Sequence, residues 1–517
     1  MAKKINLDAL IPREDFDVKD SEASPTSKSL NLKVTDLEDG SFFFGSLRKP
    51  DFQRESNEWD QGRVFSLIES FLNNDLIPAV ILWKNDAGYT FVVDGAHRLS
   101  ALASWVNNDY GDGPISKSFY QSIIPDEQKE IADRLRLKIN KEIGPYTDYQ
   151  LAMKSPEKVK PETVTKARQL GSLAIQIQWV DGDAKKAEAS FFKINQKAAP
   201  IDKTELVLLE ARNKPNGIAT RAILRGGKGH KYWSSFEEEK QDNVQKKAEE
   251  INDILFKPSL KTPLKTLDIP VAGQNISSQA QMLVLEFVNT VNNIQDKQSL
   301  VDDKTGDETI EILNNCLKIA RLVNSNHPSS LGLHPAVYFY ARNGRYKPAS
   351  FNFFLRLVME LKLKNKLNDF IKAREKLEEI ILNYDDLPRQ IVRKYRTSSA
   401  GAPHVVDFYM HAISLLNKGL SIEDVISEII SYPKFNYLTT KPEVSPDVTS
   451  SDFDSDSKSE VFMNEALKNS IKCKICGGYL HTNSISIDHV VRKQDGGIAS
   501  SDNGQVSHPY CNTGFKN

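Results

Sequence analysis

Near its C-terminal end the chain sets Cys473 and Cys476 two residues apart, and it repeats that gap with His508 and Cys511. The spacing lets each pair grip one face of a tetrahedral ion, and four nitrogen and sulfur ligands with no open position describe a structural zinc site. A stretch of roughly fifty residues is too short to bury a self-sufficient core and needs a staple. Zinc binding would supply that missing folding free energy. Of the 4 cysteines only Cys316 stands apart, in a helical pattern. Three clustered thiols in a reducing compartment argue for a metal rather than for disulfides.

The whole chain of 517 residues exceeds one core, since single cores stop growing near ~250–300 residues, so two or three units are expected. The 68 Lys and Arg against 69 Asp and Glu leave a formal net charge of -1, which gives no global basic field. Contact with nucleic acid must therefore come from a local patch. Hydrophobic residues at 39% and charged ones at 26% are ordinary for a water-soluble chain. No apolar run approaches the roughly 18 residues a membrane helix needs. The opening MAKKINLDALIPRED lacks an apolar targeting core, so a cytoplasmic chain without membrane association is expected.

Four segments follow from the patterning. Residues 1–215 read as mixed α and β: Val64, Leu67, Ile68, Phe71 and Leu72 repeat with a helical period, and AVILW, YTFVV and the stretch Leu173 to Val180 read as strands. Leu99, Leu102, Trp105 and Val106 share one face of a helix entered at Gly95-Ala96, and AEASFFKINQK reads as another helix. Residues 216–440 are almost wholly helical in period, and their histidines lack metal spacing. Residues 441–462, rich in Ser and Asp, read as a disordered linker. Residues 463–517 form the small stapled unit, with His481 expected on its surface.

Between the two knuckles lies SISIDHVVRKQDGG, then Asn503, and Asn512 directly follows Cys511. This order resembles the HNH endonucleases, the ββα-metal nucleases, over essentially the whole unit. The resemblance implies that His489 is the general base, Asp488 and Asn512 are ligands of a catalytic Mg2+ or Mn2+, and Asn503 holds the loop that aims His489. The chain has Arg492 where the family often has proline, and His508 where a cysteine is more usual. Independently of any family, phosphodiester hydrolysis needs a positioned base and a cation that neutralises the scissile phosphate.

A second constellation is FVVDGAHRLS, where a strand ends in Asp94-Gly95 and runs into a helix that begins with His97 and Arg98. Free N–H groups and a positive dipole end make such a junction an anion site, and Arg98 adds a planar fork for phosphate. With RKPDFQR before it and FFKINQKAAPI after it, the order resembles the GmrSD-type restriction endonuclease N-terminal domain, of the ParB/sulfiredoxin-like superfamily, over roughly residues 10–210. The family motif is DGQQR or DGQHR; here Ala96 stands for the first glutamine. The resemblance implies a domain that binds and hydrolyses a nucleoside triphosphate, ATP or GTP, or that senses modified DNA. Arg54 and Arg98 would hold phosphates, Asp94 would position a metal or water, His97 would be a polar contact or an acid/base group, and Asn195 with Lys197 would close the pocket. A folded core that uses Arg98 and Asp94 only as an internal ion pair is the alternative. No GxxxxGK[ST] is present, so a P-loop is excluded.

The expected architecture is an α+β ParB/sulfiredoxin-like domain, an all-α middle and a zinc-stapled ββα-metal domain. The expected function is metal-dependent DNA cleavage of a restriction or anti-phage type, governed by the nucleotide-dependent sensor, with modified or phage DNA as partner and an oligomer left open. The rivals are a zinc-stapled DNA-binding regulator that does not cut, and a nuclease of RNA, for which no RNA-binding module is recognisable.

Overall fold

The computed structural model describes the chain except residues 1–4, 15–27, 51–58, 121–123, 125, 199–206, 209, 229–231, 276–277, 296–299, 441–452 and 517. Its contacts divide it into two compact units, one of residues 1–210 with 229–232, the other of 211–228 with 233–517.

The first unit is built on a mixed sheet. Its strands are β1 (Arg13–Glu14), β2 (Asn31–Leu32), β3 (Leu47–Pro50), β4 (Val80–Lys84), β5 (Thr90–Asp94) and β6 (Ile175–Trp179), in the spatial order β1-β3-β5-β4-β6-β2. β1, β3 and β5 run parallel, β4 pairs antiparallel to β5, and β6 is parallel to β4. Alternation along β4 and β5 loads both faces of the sheet. Val80, Leu82 and Val92 enter the main core with the helices Gln61–Leu72 and Ala96–Val106. Trp83, Phe91 and Val93 pack with Ala187 and Phe191 of the helix Ala184–Ala198. The strands and helices expected from periodicity thus all form. Because β3 and β5 are parallel, Pro50 and Asp94 leave the sheet at the same edge, where α/β sheets tend to bind ligands.

The second unit is helical, with long amphipathic helices at Asp307–Val323, Leu367–Asn383 and Ser398–Asn417 among others. Cys316 is fully buried on the inner face of the first of these, and burial pushes its thiol up to about 12. The small stapled module belongs to this same unit. It comprises a hairpin of β7 (Ser486–His489) and β8 (Gly504–Ser507), with Asp488 opposite Gln505, followed by a single wide turn of helix at Cys511–Phe515.

Two expectations change here. Within the linker expected over 441–462, residues 455–462 are helical, part of the helix Ser455–Lys468; residues 441–452 lie outside the described residues. The Ser and Asp content that read as disorder supplies the N-cap, since Asp454 accepts from Ser457 N. Met463 is buried, and Ser459 Oγ accepts from Leu264 N at 3.1 Å. His481, expected on the surface, is 2% exposed. It lies under the helical region, between Asn324 and Asp268.

Candidate functional site

The four expected zinc ligands converge: one ligand atom from each of Cys473, Cys476, His508 and Cys511 lies within 4.8 Å of every other. Gly477, at φ +72, turns the first knuckle, and Cys473 N closes the turn by donating to Gly478 O at 2.8 Å. His508 presents Nδ1 to the sulfurs, 3.4 Å from Cys476 Sγ and 3.8 Å from Cys511 Sγ. Its Nε2 is 3.0 Å from Tyr479 O, which fixes the tautomer with the proton on Nε2. The thiols cannot all ionise by themselves. Hydrogen bonding from Cys476 and Cys511 pulls Cys473 toward thiolate, whereas accepting neighbours push Cys511 strongly up and Cys476 up to about 12. Three sulfurs and one imidazole nitrogen in a buried tetrad, short of positive charge, fit Zn2+.

Asp488 and His489 end β7 beside this staple. The Asp488 side chain is nearly buried, and its Oδ2 accepts from Gln505 Nε2 at 2.7 Å and from Lys516 Nζ at 2.6 Å. Lys516 also donates to His489 O, and its own carbonyl accepts from Arg492 Nη2 at 2.6 Å. Asn503 clamps the segment after His489: its Oδ1 accepts from Val491 N at 2.7 Å, and its Nδ2 donates to Val491 O at 3.1 Å and Ile498 O at 2.9 Å. Asn512 reaches back across β7, donating from Nδ2 to Ser486 Oγ at 2.8 Å and to Ile487 O at 3.2 Å. His489 Nε2 is enclosed without a hydrogen-bond partner among the described residues. A buried nitrogen without a partner is uncommon in folded proteins and calls for an explanation.

The sequence pattern did not disclose Gln505 or Lys516. Gln505 could have been found by counting the hairpin register outward from Gly504. Lys516 is four residues beyond Asn512, and only the wide turn at Cys511–Phe515 brings its ammonium back to Asp488.

In the first unit, Asp94 ends β5, and Gly95 caps the helix Ala96–Val106 at φ +99. A Cβ at Gly95 would stand 2.7 Å from Val80 Cγ1, so both conformation and space require glycine. Arg98 bridges Asp94 Oδ2 at 2.7 Å and Ala79 O at 3.2 Å, while its Nε finds no partner among the described residues. His97 stacks on Trp59, with ring centroids 5.8 Å apart and planes 9° from parallel. The described part of the cluster therefore contains the Asp94–Arg98 ion pair that the alternative reading anticipates. Arg54 lies outside the described residues, and Asn195 and Lys197 are placed only as backbone within the helix Ala184–Ala198. On the neighbouring strand Lys49 is fully buried and donates to Asp8 Oδ1 at 2.7 Å and to Asp8 O at 2.9 Å, with Arg13 bonded to Asp8 Oδ2. This buried charge cluster precedes the FQR segment and had no sequence signal.

A family model described as GmrSD restriction endonuclease, N-terminal domain, matches residues 36–315, more than half of the chain. It runs from the first unit through the helix Glu238–Phe256 and into Asp307–Val323. A second, described as HNH endonuclease, matches residues 473–517. No curated protein matches, and no solved structure does.

Proposed function

The chain belongs to the GmrSD restriction endonuclease N-terminal domain family and carries an HNH endonuclease domain at residues 473–517, and from that premise we propose a DNA endonuclease governed by its N-terminal unit. The observation that carries the reading is that Asn503 binds the backbone of Val491 just after His489, and Asn512 the backbone of Ile487 just before Asp488, on one hairpin and the turn that follows it. In this reading the His489 imidazole takes a proton from the attacking water, and Asn503 keeps the following segment in the shape that aims the ring. Asp488, oriented by Gln505, and Asn512 would hold Mg2+ or Mn2+ once the ion takes the place of the Lys516 ammonium on the carboxylate, and the ion would neutralise the scissile phosphate and the leaving oxygen. The zinc tetrad takes no part in the chemistry and holds the hairpin against the turn.

The N-terminal unit, read as ParB/sulfiredoxin-like, would bind and hydrolyse ATP or GTP, or sense modified or phage DNA, at the sheet edge that carries Asp94, Gly95, His97 and Arg98, with Arg54 as a further phosphate ligand. Asn195 and Lys197 would complete that pocket. Support comes from the family match and from the parallel strands that open on one edge. The existing Asp94–Arg98 pair would then orient the guanidinium rather than exclude a ligand. Incubating the purified chain with modified and unmodified phage DNA, with Mg2+ or Mn2+ and with or without ATP or GTP, tests this division of labour. Cleavage should require the divalent cation and change with nucleotide or modification. Cleavage that responds to neither leaves the nuclease and removes the sensor.

A further inference from the structure

The zinc knuckles do not hang on a tether: a guanidinium from the helical region reaches the zinc tetrad. Arg374, on the helix Leu367–Asn383, has a completely buried side chain and pairs with Glu378, also buried, at 2.7 Å. Its Nη1 lies 3.3 Å from His508 Nδ1, the nitrogen that faces the sulfurs. The same guanidinium donates to Leu331 O and, at 2.9 Å, to Gly332 O. Glu378 accepts from Tyr479 N at 2.8 Å, next to the first knuckle. Two glycines make the approach feasible: a Cβ on Gly478 would stand 2.4 Å from Arg374 Nε, and one on Gly332, at φ +61, would stand 2.6 Å from His508 Cδ2. The loop 324–334 also holds the module elsewhere, through Ser330 Oγ with Ser484 Oγ at 2.9 Å and Tyr510 N to Ser330 O at 2.9 Å.

We propose that Arg374 is a positioning residue of the zinc centre, which joins the tetrad to the loop 324–334 and makes zinc binding and docking of the nuclease module on the helical region one linked equilibrium. The proposal rests on the zinc reading of the tetrad. A tetrad of three thiolates and a neutral imidazole around Zn2+ carries one net negative charge, and the Arg374 guanidinium, shared with Glu378, packs against it; because the Nδ1 lone pair would face the ion, the 3.3 Å approach is an electrostatic and packing contact rather than a hydrogen bond. Outer groups of this kind commonly change metal affinity by about 10–100-fold. The loop follows directly on the helix Asp307–Val323, in which the family match stops.

The test uses the full chain. Elemental analysis of the wild type first asks whether zinc is bound at all; none would remove the zinc reading itself. With zinc bound, its extraction by a chelator should raise hydrogen exchange in residues 324–334 and 367–383, and unchanged protection there would overturn the linkage. The rate of zinc loss to the chelator should rise about 10–100-fold in Arg374→Met and less in Arg374→Lys, which keeps the charge and loses the fork. Should Arg374→Met fail to fold, Gly332→Ala disturbs the approach to His508 without removing any charge. It should also speed zinc loss, and wild-type retention in that variant would overturn the proposal.

Discussion

At His481 burial and charge oppose one another. The ring lies 3.5 Å from Asp268 Oδ1, which favours the protonated form, yet burial prevails and depresses the imidazole to about 4. An unfolded histidine titrates near ~6.5. The native state therefore refuses a proton that the unfolded state accepts below that value. The contribution to stability is complete above about pH 6.5 and is lost as the pH falls toward about 4, by on the order of 2–4 kcal/mol. Urea midpoints of the wild type and His481→Gln at pH 7, 5.5 and 4 should show the wild type losing more stability than the variant over that range. Parallel curves would mean that His481 titrates as it does in water. The sequence could not place this ring, because its cover comes from Asn324 and Asp268, more than a hundred residues upstream.

The hairpin β7–β8 is the smallest element with a chemical purpose, since its register sets Gln505 opposite Asp488. Gln505→Leu keeps the strand but removes one of the two side-chain donors on the Asp488 carboxylate, leaving Lys516, so metal-dependent cleavage should fall by about 10–100-fold while zinc content and thermal unfolding stay near wild type. A loss of zinc along with activity would make Gln505 a structural residue instead. Much at this scale was legible beforehand: the knuckles announce themselves by repeated two-residue gaps, and strands such as β5 by a β-branched run ending in Asp-Gly. What escaped depends on distant partners. The first part of the helix Ser455–Lys468, residues 455–462, reads as linker from its Ser and Asp content, whereas Met463 is buried and Ser459 bonds to Leu264 of the helical region. Arg374 lies in a region that reads only as helical in period. Nothing nearby in sequence marks it as the guanidinium that enters the module near His508.

For the molecule as a whole, the module's place in the same unit as the helices bears on the proposed regulation. A nuclease tethered by a free linker would be controlled by local concentration. A module packed on the helices would instead require any control to change those packed contacts. Cleavage itself, in the proposed mechanism, depends on His489. The most direct measurement is cleavage of supercoiled plasmid and phage DNA by the full chain in Mg2+ or Mn2+, wild type beside His489→Ala, with zinc content and DNA binding recorded for both. The account predicts cleavage by the wild type that EDTA stops, and a variant that binds DNA and zinc as the wild type does but leaves the DNA intact. Equal cleavage by the two proteins, or metal-loaded wild type that binds these DNAs without cutting any of them, would contradict it.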